Sequence, residues 1–185
     1  MQTPNAVAAT ERYHRAIRAV CDLLARQRID FAFLGGVARA AWLGGTVSSE
    51  SLDVLVLINP EQKNQICMMA GNRGFRVDRD EVQATEELDL IPMTFIDSDG
   101  DVRVHILLAS NALYGRMVAS SMTTMVGEQT IKVPAREDLA LLLGLSDDPE
   151  SLRDRDALLA EADFDRRAYI VKLQSIGLGE IAAGL

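Results

Sequence analysis

Cysteine, positive charge and long apolar runs are what this 185-residue chain has least of. Its two cysteines, Cys21 and Cys67, lie far apart. Neither has a second Cys or a His at metal-ligand spacing, which leaves no disulfide framework and no zinc motif. Each sits among apolar neighbours in a helix-like stretch and is expected to act as a small buried hydrophobe. Lys and Arg total 19 against 27 Asp and Glu, a net charge of −8. The clustered cations that nucleic-acid phosphates demand are therefore scarce, and general nucleic-acid binding is not expected. The richest apolar stretches, residues 53–58 and 139–145, fall far short of the ~20 residues that cross a bilayer. The first residues include Glu11 and no apolar run, so no secretory leader is read and a reducing cytoplasmic setting is expected.

What remains is the composition of a folded globular chain, 48% hydrophobic and 25% charged. Tyr13, Ile17, Val20 and Leu24 recur at helical spacing and predict a helix over residues 8–27. Residues 30–34 read as a short strand ending in Gly35–Gly36, with a helix over 37–43 closed by Gly44 and Gly45. Residues 52–58 are aliphatic and β-branched, a buried strand. Asn59–Pro60 then caps a helix that Gly74 stops, in which Met68 and Met69 read as core filler. Residues 78–89 are acidic and patternless, a loop with a helical turn; they lack the spacing of a calcium loop. Strands at 92–96 and 102–108 flank the turn Asp97-Ser98-Asp99-Gly100. A helix over 110–120 and a hairpin ending at 130–133 follow, and the chain is helical from Pro134 onward. The pattern predicts an α+β fold: a mixed sheet of about five strands with packed helices and a helical C-terminal part. Residues 1–135 are read as the α+β core with its N-terminal helix, and 136–185 as helices packed on that core.

One arrangement stands out. A strand runs into Gly35–Gly36, a helix follows, and the chain returns as a strand carrying Ser51-Leu52-Asp53. Side chains alternate along a strand, so Ser51 and Asp53 share a face. A later strand, Val-Arg-Val-His-Ile-Leu-Leu, places His105 inside an apolar run. These features resemble the nucleotidyltransferase superfamily, in particular the small bacterial group that includes the AbiEii-type toxins. In that group a Gly-Gly or Gly-Ser turn enters a helix, Asp-x-Asp follows on a strand, and a third Asp comes from a later strand. Gly35 and Gly36 match the turn and Asp53 matches the second Asp. Ser51 stands where the first Asp belongs and His105 where the third belongs. Glu137-Asp138-Leu139 resembles the family's Glu-Asp-Leu helix start, and Asp154 falls near a helical Asp. The Lys that usually follows Glu-Asp-Leu is missing, with Leu143 as its counterpart. The resemblance spans residues 29–158. It implies a nucleotidyltransferase-like fold with Asp53 as the catalytic and metal-binding carboxylate, and Gly35, Gly36, Arg39, Ser51, Asp53 and His105 lining the ligand site.

The departures bear on chemistry. Nucleotidyl transfer uses two divalent ions that bridge the attacking and leaving oxygens, and Mg²⁺ prefers carboxylate oxygen. Asp53 alone supplies a carboxylate at the matched positions; Ser is a weak neutral ligand, and His suits softer metals. The expectation is a degenerate member with no resident cofactor, whose cleft binds a nucleotide or a protein partner, homodimerisation included, and no membrane. An active enzyme, using Mg²⁺ and a nucleoside triphosphate with Glu50 or Asp101 as helper, is the alternative. A pure interaction protein of toxin–antitoxin type is a third. Residue by residue, plainer roles stand beside these. Asp53 could cap a loop or pair with Arg39 or Arg103, and His105 reads first as a hydrogen-bonded or pocket-lining residue. Arg39 is either a phosphate ligand beside the helix start or an exposed charge. Glu50 falls on the strand face opposite Asp53 unless a bulge re-aims it. Trp42 reads as core or as the rim of the cleft.

Overall fold

The computed structural model describes residues 4–47 and 50–178. The chain opens with α1 (Glu11–Arg26), β1 (Asp30–Phe33), α2 (Gly35–Leu43) and β2 (Ser51–Leu57). It continues through α3 (Pro60–Ala70), β3 (Phe75–Arg76), α4 (Arg79–Ala84), β4 (Leu90–Phe95) and β5 (Val102–Leu108). Then come α5 (Ala112–Ala119), the hairpin β6 (Met122–Val126) and β7 (Gln129–Val133), and the helices α6 (Arg136–Gly144), α7 (Pro149–Ala160) and α8 (Arg166–Ser175). This is the α+β arrangement expected.

Five strands form one mixed sheet in the order β1-β2-β5-β4-β3, and β6 and β7 form a separate hairpin. The central pair, β2 and β5, is parallel, and every other pair is antiparallel. Leu52, Val54, Val104, Ile106, Ile91 and Met93 are buried. Removing each such side chain from water contributes about 1.5–3 kcal/mol, so the apolar face of the sheet anchors the domain. Its other face becomes polar towards one end, where Ser51, Asp53, Arg103 and His105 alternate with those core residues. α1 packs against β1, β5 and α3, burying Tyr13, Ile17, Val20 and Leu24 as their spacing requires. The Arg15 guanidinium grips Asp97 of the β4–β5 turn through two bonds of 2.7 and 2.8 Å. That hydrogen bonding, with the backbone N–H of Asp99, holds the Asp97 carboxyl down at about 2.

Side-chain caps mark five of the eight helix starts among the described residues. Asn59 and Gln62 form a reciprocal capping box at α3. Asn111, Asp148 and Asp165 each accept a backbone N–H at the start of α5, α7 and α8. Four expectations need correction. The acidic stretch after Asp78 is more ordered than a loop: the Asp78 carboxylate caps a true helix, α4, and a 3-10 turn (Glu86–Leu88) follows. Met68 is 74% exposed rather than core, because α3 packs through the side that buries Ile66 and Ala70, with α1 as a neighbour. Cys67 is half-buried, unlike Cys21, whose burial pushes its thiol up to about 12. The helix after β1 begins at Gly35 rather than Val37.

The C-terminal helices join the rest through α2, which contacts α6 and α7. Arg39 of α2 pairs with Glu150 at 2.7 Å and with Asp154. Arg136 lies over the Trp42 ring and holds Asp163 at 2.6 and 3.1 Å, while the Trp42 indole N–H donates to the Pro134 carbonyl at 2.9 Å. Among the described residues no helix is long and apolar enough to cross a membrane.

Candidate functional site

β1 and β2 converge where the chain turns into α2. The Leu34 N–H donates to the Asp53 carbonyl at 2.8 Å, which pins the glycine turn beside the strand. Gly35 adopts φ +51°, and a Cβ there would lie 2.6 Å from Asp53 Oδ2. Only glycine combines that backbone conformation with so close an approach. The Asp53 carboxylate thus rests on the first residue of α2, where the helix dipole favours negative charge.

The other carboxylate oxygen is shared. Ser51 Oγ donates to Asp53 Oδ1 at 3.0 Å, and His105 Nδ1 stands 3.0 Å from the same atom. The pairing of β2 with β5 sets this up, because Asp53 and His105 are direct partners in the register. The three residues picked from the sequence are therefore assembled on one sheet face, with side chains only partly exposed. Neither Arg39 nor Arg103 pairs with Asp53, so the plainer role of an Arg-paired strand residue is not the one found.

Two cavities flank this cluster. One, of about 440 Å³, is lined by Gly36, Arg39, Leu43, Thr46, Glu150 and Asp154, among others. The second, of about 480 Å³, is lined by Ser51, Arg76, Thr94, Asp101, Arg103 and His105. Glu50 borders both. The strand-face argument placed Glu50 away from Asp53, but this residue precedes the first residue of β2, so strand alternation does not govern it. A larger hollow of about 780 Å³ between α3 and α4, walled by Cys67, Met68, Val77 and Val82, contains none of these residues. Arg39 is neither an open phosphate ligand nor a plain surface charge, since its guanidinium is closed by two carboxylates. Trp42 is half-buried beneath Arg136. Leu143 is buried and brings no cation to the cleft.

The donor set does not fit a pair of hard dications. Among the described residues no three His, Cys, Asp or Glu side chains gather where a metal could be held. Asp53 already accepts from Ser51 and faces an imidazole, and Glu50 and Asp101 line the flanking cavities.

Among solved structures the chain is similar to an antigenic nucleotidyltransferase-like protein from Paracoccidioides brasiliensis. That likeness covers 95% of this chain and 93% of the other, at 12% identity and a TM-score of 0.49. It is also similar to ANT(2″)-Ia in complex with adenylyl-2″-tobramycin, over 91% of each chain, at 14% identity and a TM-score of 0.46. No protein-family model and no curated protein matches the chain.

Sequence reasoning overlooked Arg76 and Thr94, and treated Arg103 only as a partner for Asp53. The alternation of Arg103 with His105 was available as a signal. The proximity of Arg76 was not, because it depends on pairing between strands distant in sequence.

Proposed function

We propose that the chain is a nucleotidyltransferase-fold protein of the AbiEii-like group whose cleft binds a nucleotide without transferring it. The observation that carries this reading is the meeting of Ser51, Asp53 and His105 around one carboxylate oxygen, at the positions where the resemblance expects three carboxylates. Two-metal transfer needs anionic oxygens to offset the dications and to position the α-phosphate. Here one carboxylate stands at the matched positions, bonded to a hydroxyl and beside an imidazole. The glycine turn and the two cavities retain a place for a ligand, and the closed Arg39 ion pairs replace an open phosphate contact.

Calorimetry with a nucleoside triphosphate, with and without Mg²⁺ or Mn²⁺, tests binding. Label transfer from an α-labelled nucleotide to protein, RNA or small acceptors tests activity. The expected result is binding that a divalent ion does not strengthen, with no transfer. Metal-dependent transfer that Asp53→Ala abolishes would overturn this reading and favour an active enzyme helped by Glu50 or Asp101. An absence of nucleotide binding, with a stable dimer or a tight protein complex instead, would favour the interaction protein.

A further inference from the structure

The open face of the sheet carries a second constellation beside Asp53. Arg76 of β3 lies opposite Thr94 of β4, Thr94 opposite Arg103 of β5, and Arg103 opposite Ser51 of β2. Four side chains from four neighbouring strands therefore form one continuous row. Neighbouring strands are about 4.8 Å apart, which leaves the two arginine backbones about 10 Å from each other across Thr94. Two long side chains rooted at that separation can close on a single small anion between them. The next row along the strands holds Pro92, His105 and Asp53. His105 Nδ1 is committed to Asp53, and its other ring nitrogen is left for the cavity that His105 lines.

The arginines of this row differ from those that brace the fold, and unlike the other open arginines they line one cavity together. Arg15, Arg39, Arg136 and Arg155 each grip a carboxylate at 2.6 or 2.7 Å. Among the described residues Arg103 has no hydrogen-bond or ion-pair partner. The carboxylate contact of Arg76 is with Asp101 at 3.9 Å, the outer limit of an ion pair. A guanidinium carries five donors in a planar fork that matches phosphate oxygens, and leaving it open beside a cavity reserves that capacity.

We propose that Arg76, Thr94, Arg103 and His105 form a binding site for the phosphate group of a small phosphorylated ligand, held without a metal ion. Two guanidinium forks, a hydroxyl and an imidazole nitrogen line this one cavity from three neighbouring strands. That arrangement suits the tetrahedral oxygens of a phosphate better than the two coplanar oxygens of a carboxylate. A cavity of about 480 Å³ falls within the usual range for small-molecule sites. The start of α2, the usual seat for an anion in such a cleft, is already taken by the Asp53 carboxylate. Glu50 and Asp101 line the same cavity as opposing charges and keep the affinity modest. The site deepens the proposed function in one respect: it shares the premise that this cleft holds a ligand, and it names the group that is gripped.

Calorimetric titration in chelator with two probes, inorganic phosphate and a nucleoside triphosphate, tests it, with a thermal melt of each variant to verify folding. Both probes are expected to bind the parent chain. Arg103→Gln should weaken both at least tenfold, and Arg103→Lys should recover part of the loss. Arg76→Gln, on the exposed edge strand, should weaken both at least threefold and serves if Arg103→Gln does not fold. Asp101→Asn should tighten phosphate severalfold by removing a repelling carboxylate, a gain that a purely structural role for these residues would not produce. Nucleotide binding that survives Arg103→Gln and Arg76→Gln unchanged overturns this site and leaves the proposed function standing. Phosphate binding that Arg103→Gln abolishes, with no nucleotide bound by the parent, supports the site and overturns the proposed function. If neither probe binds, both fall.

Discussion

Arg39 and Arg136, where α2 meets the C-terminal helices, and Arg76 and Arg103, on the sheet, are alike in chemistry and opposite in circumstance. The first two are closed by carboxylates and tie the C-terminal helices to α2. The second two stand on the open end of the sheet with at most a distant acid for company. Desolvating a charge is expensive, so a guanidinium that serves the fold is delivered with its counter-ion. One that serves a ligand can wait in partly solvated space. The comparison separates charges that hold helices together from charges that remain available, without reference to any relative of this chain.

The largest effect is expected in the closed class. Asp138 is 2% exposed and is paired with Lys172 of α8. Lys172→Met leaves that carboxylate with only the Ser120 hydroxyl at 3.2 Å, and urea unfolding at neutral pH should show a loss of about 3 kcal/mol. Adding Asp138→Leu should restore most of it, because a well-packed apolar pair often equals a buried ion pair. A single-variant loss under about 1 kcal/mol would mean that Asp138 reaches water and that the C-terminal charges are not built as described.

Next in size is the glycine turn. Gly35→Ala combines a positive φ with a Cβ placed 2.6 Å from Asp53 Oδ2, and should cost about 2 kcal/mol. It should also disturb the Ser51–Asp53–His105 cluster, visible as a changed His105 ring chemical shift. A neutral substitution would remove the close approach on which the site geometry rests.

The Arg15–Asp97 pair adds a pH signature to the closed class. Asp97 is held at about 2 when folded, against about 3.9 for a free Asp, so its contribution is full above about pH 4 and is lost as the pH falls towards 2. Melting temperature measured from pH 5 to 2 should fall less steeply for Asp97→Asn than for the parent. Parallel curves would mean that Arg15 does not hold Asp97 in solution.

The smallest effects set the two classes side by side. Arg39→Gln should cost up to about 1 kcal/mol, since Glu150 is exposed and Asp154 only partly so. Arg103→Gln should change unfolding free energy by less than about 0.5 kcal/mol. The reverse order would break the distinction between charges that hold the fold and charges left for a ligand.

Much of the architecture was legible because local chemistry wrote it. Asn59–Pro60 and Asp148–Pro149 start helices through capping and a pre-set proline φ, and both helices begin there. The turn at Asp97–Gly100 separates β4 and β5 where expected, and β5 spans Val102–Leu108 as the apolar run suggested. Asp53 with Ser51 was legible through strand alternation. Their meeting with His105 rested on a resemblance, since nothing local says which strand will lie beside β2. Two misjudgements share one cause: hydrophobicity assigns Met68 to the core, and helix position leaves Arg39 open. Each depended on what another part of the chain would bring alongside.

Caps, turns and the periodicity of apolar side chains are interactions within a few residues, and they are enough to specify the α+β class and most element boundaries. Strand register and helix docking join residues dozens of positions apart. They alone brought Arg76, Thr94 and Arg103 into line with Ser51, and closed Arg39 with Glu150 and Asp154. Whether a charge is neutralised or left open is a property of its neighbours in space, and those neighbours exist only once the chain has folded.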